Sequence, residues 1–150
     1  MQIVEFPAAS EQRMRYLAGC ARPGPADGEA SALRTIHDAL RFAAPKDRNA
    51  VALGEDGQVL AAISWTPACA DGQTVVRYLG SARKGLGRAL VACAAADASS
   101  RDEGLILESL PSAAGFYRKL GFCCYGRSEL GYPLFALDPL AADALARGAA

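Results

Sequence analysis

The chain has 150 residues, 51% of them apolar, with 16 basic residues balanced by 16 acidic ones. That length suits one domain able to bury its own core without staples, and the apolar share excludes a disordered chain. Zero net charge and the lack of a Lys/Arg stripe exclude an electrostatic footprint for nucleic acid. The five cysteines, Cys20, Cys69, Cys93, Cys123 and Cys124, are odd in number and form no CxxC pair. They read as reduced, buried thiols in a cytoplasmic protein. His37 is the only histidine, so no zinc set is expected. The N-terminus lacks a charged region followed by an apolar core, so no signal peptide is expected. No apolar run approaches the roughly 20 residues of a membrane helix, and no membrane partner is expected.

In chain order, residues 2–6 predict a short strand ended by Pro7. Ser10 is placed to cap a helix to about Cys20, with Met14, Leu17 and Ala18 at helical spacing. Residues 22–28 hold two prolines and two glycines and predict a loop. Ala32, Leu33, Ile36, Leu40 and Ala43 return to helical spacing until Pro45, which predicts a surface helix with one core face. His37 on that helix reads as a solvated or satisfied side chain. Residues 50–53 and 59–66 predict two strands, joined by Gly54-Glu55-Asp56-Gly57 as a hairpin. Trp65 reads as core or pocket wall.

A loop is predicted over 67–72, a β-branched strand over 74–79, and a helix from about Gly85 to Ser100. Residues 105–110 predict a strand, and 112–120 a short helix stopped by Gly121. Two closing strands are predicted at 123–125 and 133–137, and a frayed, alanine-rich helix after Pro139. No repeat or second domain is apparent. Residues 1–150 read as a single α/β or α+β domain around a mixed sheet.

The chemistry concentrates in Gly80-Ser81-Ala82-Arg83-Lys84-Gly85-Leu86-Gly87-Arg88-Ala89-Leu90. Gly85 and Gly87 let the backbone take positive φ and approach a ligand. The first N–H groups of the following helix have no intrahelical acceptor, and the helix dipole favours an anion there. Arg83, Lys84 and Arg88 can add charge-assisted hydrogen bonds. Together these predict a phosphate or pyrophosphate cradle. The third glycine of GxGxxG is absent and so is the GK[ST] ending of a P-loop, which argues against a dinucleotide fold and an NTPase. Behind the loop, Leu86, Leu90, Val91 and Ala94 share one side of the helix.

The segment Arg83–Leu90 and the later Ala114-Gly115-Phe116-Tyr117-Arg118-Lys119-Leu120-Gly121-Phe122 resemble two motifs of the GNAT superfamily of acetyl-CoA-dependent N-acetyltransferases. The resemblance spans about Thr74 to Tyr125. It implies an α/β (α+β) fold with a mixed, mainly antiparallel central sheet of six to seven strands flanked by about four helices. It implies direct transfer of an acetyl group from acetyl-CoA, without a metal, to a primary amine of a small molecule or peptide. Arg83, Lys84, Gly85, Leu86, Gly87, Arg88 and Ala89 would then hold the diphosphate, and the main chain of Leu79 and Ser81 the pantetheine arm. Ser112 and Phe116 would lie along the cofactor. Tyr117 stands where the family places its general acid, and Glu108 is the nearest candidate base.

Two departures stand out. Ala82 occupies a position usually Arg or Gln, and Pro111 one that is commonly Asn. A non-catalytic acyl-CoA-binding sensor or interaction module is the alternative reading, and a homodimer is left open.

Overall fold

The structure is a computed structural model that describes residues 1–28, 30–69 and 72–148. In chain order it runs β1 (Gln2–Pro7), α1 (Glu11–Gly19), α2 (Ala32–Arg41), β2 (Arg48–Leu53), β3 (Val59–Cys69), β4 (Gln73–Ser81), α3 (Leu86–Ser99) and β5 (Leu105–Glu108). A 3-10 turn at Pro111–Ala113 leads into α4 (Ala114–Lys119), then β6 (Cys123–Arg127), β7 (Pro133–Leu137) and α5 (Pro139–Ala146). The strands form one seven-stranded sheet in the order β1-β2-β3-β4-β5-β7-β6. The β1/β2, β2/β3, β5/β7 and β6/β7 pairs are antiparallel, and β4/β5 is parallel. The mixed, mainly antiparallel sheet expected from the sequence is the one observed, with five helices among the described residues.

The chain divides into two compact units. The first comprises Met1–Thr66 and Arg77–Val91. Here α2 buries Ile36, Ala39 and Leu40 against Phe6, Val51, Leu53 and Ala62, and Tyr16 and Leu17 of α1 pack on the same cluster. Each of the valine, leucine, isoleucine and phenylalanine side chains here contributes roughly 1.5–3 kcal/mol on burial. Ser31 starts α2 by accepting the Arg34 N–H at 3.1 Å. The fully buried Asn49 donates through Nδ2 to the carbonyls of Ala39 and Ile63 and so ties α2 to β3. The β2/β3 hairpin forms as expected, with Gly57 at positive φ. Trp65 is a fully buried core residue.

The second unit comprises Pro67–Val76 and Ala92–Ala150. Leu105, Leu107, Phe135 and Leu137 bury the inner side of β5 and β7, and Tyr117, Leu120, Phe122 and Leu145 join that core. Gly121 ends α4 at φ +97°, the left-handed stop predicted for it. The C-terminal segment is more ordered than a frayed tail. Asp138 accepts the Ala141 N–H at 2.8 Å, Pro139 opens α5, and Ser99 of α3 hydrogen-bonds Asp143 at 3.1 Å.

Three expectations are corrected. β3 runs through Pro67 to Cys69 instead of stopping at Thr66, and the rest of the predicted loop at 70–71 lies outside the described residues. β1 includes Pro7, because an edge strand tolerates a residue with no N–H to donate. The four cysteines whose side chains are described stand outside disulfides and are not buried. Cys123 and Cys124 are exposed on β6, the edge strand at the end of the sheet, and Cys20 and Cys93 are half-buried. The side chain of Cys69 lies outside what the structure describes. Among the described residues, no helix is long and apolar enough to cross a membrane.

Candidate functional site

β4 delivers the chain to the glycine-rich turn. Its Gly80 has no room for a side chain: a Cβ there would lie 2.5 Å from the Ile36 amide nitrogen and against the Thr35 hydroxyl. After Gly80, the Ser81 hydroxyl folds the turn on itself, donating to the Arg83 carbonyl at 2.6 Å and accepting the Arg83 N–H at 3.3 Å. The Ala82 N–H is taken by the Leu60 carbonyl at 2.8 Å. Leu86, Leu90, Val91 and Ala94 are all buried, as their spacing predicted, and fix the start of α3.

The two glycines differ in their work. Gly85 is exposed, sits at φ +91° and has nothing within 4 Å of a built Cβ. Gly87 is buried in the first turn of α3. The backbone bond from Ala89 N–H to Gly85 O, at 3.4 Å, is the first α-type bond of the helix. The N–H groups of Leu86, Gly87 and Arg88 therefore have no intrahelical acceptor. Arg83, Lys84 and Arg88 are exposed and stand outside the ion pairs of the described residues. Bare amides, an open positive-φ glycine and uncommitted cations are the donor set a diphosphate needs. Leu79, Ser81 and Ala89 are half-buried beside it. The parallel register of β4 with β5 covers Thr74↔Leu105 and Val75↔Ile106, and Leu79 and Ser81 lie further along β4.

Arg77 and Tyr78 go to opposite faces of β4. The Tyr78 ring packs 6.1 Å from that of Phe42, at the end of α2. Arg77 Nε donates at 2.9 Å to the Thr66 hydroxyl, which donates at 2.7 Å to the buried carboxylate of Asp47. The other Asp47 oxygen accepts the Ala44 N–H at 2.8 Å.

In the second unit Tyr117 is 7% exposed on α4. The rings of Phe116 and Phe122 meet it edge-on at 5.0 and 5.5 Å, and Phe135 packs at 5.9 Å. Burial pushes its phenol above the ordinary value of 10. Phe116 is half-buried, and Ser112 is exposed on the 3-10 turn. Glu108 is exposed at the end of β5, in register with Leu134.

One carboxylate with several partners was not singled out from the sequence. Glu103, buried, accepts from the Thr74 hydroxyl at 2.7 Å and the Ala68 N–H at 3.1 Å, and pairs with Arg101 at 3.2 Å. Burial raises its pKa, but the bonds from Thr74, Arg101 and Ala68 outweigh that and hold it below the ordinary carboxylate value. Arg101 also pairs with Asp97 at 2.8 Å. In sequence Glu103 follows Arg101 and Asp102 in a turn, and nothing local signals Thr74 or Ala68 as its partners. Among the described residues no group of three or more acids, cysteines or histidines is placed to hold a metal ion.

No family model and no curated protein matches the chain. Solved structures do. An aminoglycoside 6'-acetyltransferase of type Ii superposes with a TM-score of 0.65 at 18% identity, over 93% of this chain and 97% of its own. Tetrahymena GCN5 superposes with a TM-score of 0.66 at 13% identity, over 92% and 96%. The chain has the GNAT acetyltransferase fold. A third GNAT-fold neighbour, an aminoglycoside 6'-N-acetyltransferase complexed with coenzyme A, gives 0.63 at 16% identity, over 93% and 97%. The GNAT architecture is thus shared over nearly the whole chain, well beyond the two motifs that first suggested it.

Proposed function

We propose that residues 1–150 form one GNAT acetyltransferase domain that moves an acetyl group from acetyl-CoA directly to a primary amine, in the cytoplasm and without a metal. The turn at Gly85 carries this reading. Its bare amides at Leu86–Arg88 and the cations Arg83, Lys84 and Arg88 suit the diphosphate. The main chain at Leu79 and Ser81 would hold the pantetheine arm, with Ser112 and Phe116 further along the cofactor. A main-chain N–H aimed at the thioester oxygen is worth about 3–4 kcal/mol in acyl transfer.

The amine must attack as its neutral form, and Glu108 or a water it orders would take the proton. As the C–S bond breaks, nitrogen gives up one proton and sulfur gains one. Tyr117 suits the leaving sulfur as a hydrogen-bond donor. Its raised pKa keeps the phenol protonated but moves it further above a thiol, near 8.5. Outright proton delivery to a free thiolate is therefore uphill by about 2 kcal/mol or more, and the donor role is the stronger one.

Acetyl-CoA consumption with an amine panel tests this. An aminoglycoside, the acceptor named for two of the neighbours, is one arm. Tyr117→Phe is expected to lower kcat about 100-fold with CoA affinity unchanged. A full kcat in that variant would remove Tyr117 from the chemistry. CoA binding with no amine consumed would favour the non-catalytic sensor.

A further inference from the structure

Within the first unit, α1 and α2 frame a cleft of about 660 Å3. Small-molecule sites usually fall between roughly 300 and 1,000 Å3. Met14 and Leu17 of α1 make its apolar wall, and Arg34, His37 and Arg41 of α2 line it with Arg22 from the connecting loop. Positions 34, 37 and 41 recur at helical spacing and so share a stripe of α2 beside its core face. Among the described residues no aspartate or glutamate lines the cleft, and Arg22, Arg34 and Arg41 stand outside the ion pairs. Three guanidiniums around one cavity create a positive field that a bound anion relieves.

The helix that carries these cations also touches the strand that feeds the glycine turn. Thr35 and Ile36, between Arg34 and His37, press on Gly80 of β4. The Arg41 guanidinium lies 5.0 Å from the Phe42 ring centroid, and that ring packs on Tyr78 of β4. Arg34 Nη2 reaches the Asp27 carbonyl at 3.5 Å, which leaves the rest of its fork to a ligand.

We infer that this cleft binds an oxyanion, carboxylate or phosphate, carried on an apolar body. Resting on the acyltransferase reading above, it anchors the acidic end of the amine acceptor. The same field repels polycationic amines.

Calorimetric titration of the full chain with 3-phenylpropionate, phenyl phosphate, 3-phenylpropanamide and phenethylamine tests this without any acetyl transfer. At least one anion is expected to bind tenfold or more tighter than the amide, with phenethylamine weakest. The tighter anion identifies whether carboxylate or phosphate is preferred. The Arg34→Gln/Arg41→Gln double variant is expected to bring both anions to the level of the amide while CoA affinity stays as in wild type. Equal binding of the anions and the amide by the wild-type chain, no binding of any probe, or tighter binding of phenethylamine would overturn the inference. In the acetylation assay phenylalanine should show a lower KM than phenethylamine, and the double variant should erase the difference; equal KM values in wild type would overturn the acceptor role. Anion binding without CoA binding would sink the enzymatic reading and leave the cleft. CoA binding without anion preference would do the reverse.

Discussion

At its start β4 places Thr74 inside a knot of charge: its hydroxyl donates to Glu103 at 2.7 Å and accepts from Arg101 at 2.9 Å, while its N–H meets the Gly104 carbonyl at 3.0 Å. Near its end the same strand lies bare against α2 at Gly80, and the turn beyond it opens at Gly85, with φ +91°. One end is held by side chains that satisfy one another, and the other presents backbone with donors to spare. The proposed cofactor turn draws on the second kind of end, where backbone donors are left to a ligand, and not on the first, where side chains use up one another's bonds.

The largest effect should come from the charged end. Glu103→Ala leaves Arg101 with Asp97 and takes the acceptor from the Thr74 hydroxyl and the Ala68 N–H, and is expected to cost about 3–4 kcal/mol, roughly 10 °C in Tm. A loss under 1 kcal/mol would break the contrast. Next, Gly80→Ala drives a Cβ into the Thr35–Ile36 backbone and should cost about 2–3 kcal/mol in the same melts. A neutral result would mean that α2 shifts freely off β4. Gly85→Ala meets no neighbour but forces alanine to positive φ, at about 1–2 kcal/mol, and should weaken CoA about tenfold. Unchanged affinity would show that the turn need not hold its observed shape.

The smallest effect is a pH slope. The folded Glu103 carboxyl lies below its ordinary value of 4.5, so its contribution is whole above about pH 4.5 and drains away as pH falls through the lowered value. Wild-type Tm should therefore fall more steeply below pH 4.5 than that of Glu103→Gln. Parallel curves would mean the carboxylate is not held as described.

The contrast also explains what could be read in advance. The turn was legible because glycines, cations and the apolar spacing of Leu86, Leu90, Val91 and Ala94 lie within a few positions of one another. The Glu103–Thr74 bond spans 29 positions and leaves no local trace. Gly80 was visible as a glycine, but its reason lies in the approach of α2. The exposure of Cys123 and Cys124 follows from the place of β6 at the sheet edge, which strand order sets and composition does not. Pro67 reads as a breaker, yet β3 passes through it, past Trp65, where its register with β2 ends. The burial of Tyr117 depends on rings such as Phe135 of β7, again beyond local pattern.

The central claim is that the amides opening α3 grip a diphosphate. Backbone NMR of the isotope-labelled chain, titrated in parallel with CoA and with pantetheine, which lacks the diphosphate, addresses it most directly. The amide signals of Gly85, Leu86, Gly87 and Arg88 are expected to move strongly with CoA and little with pantetheine. CoA binding that leaves those four signals in place would contradict the account.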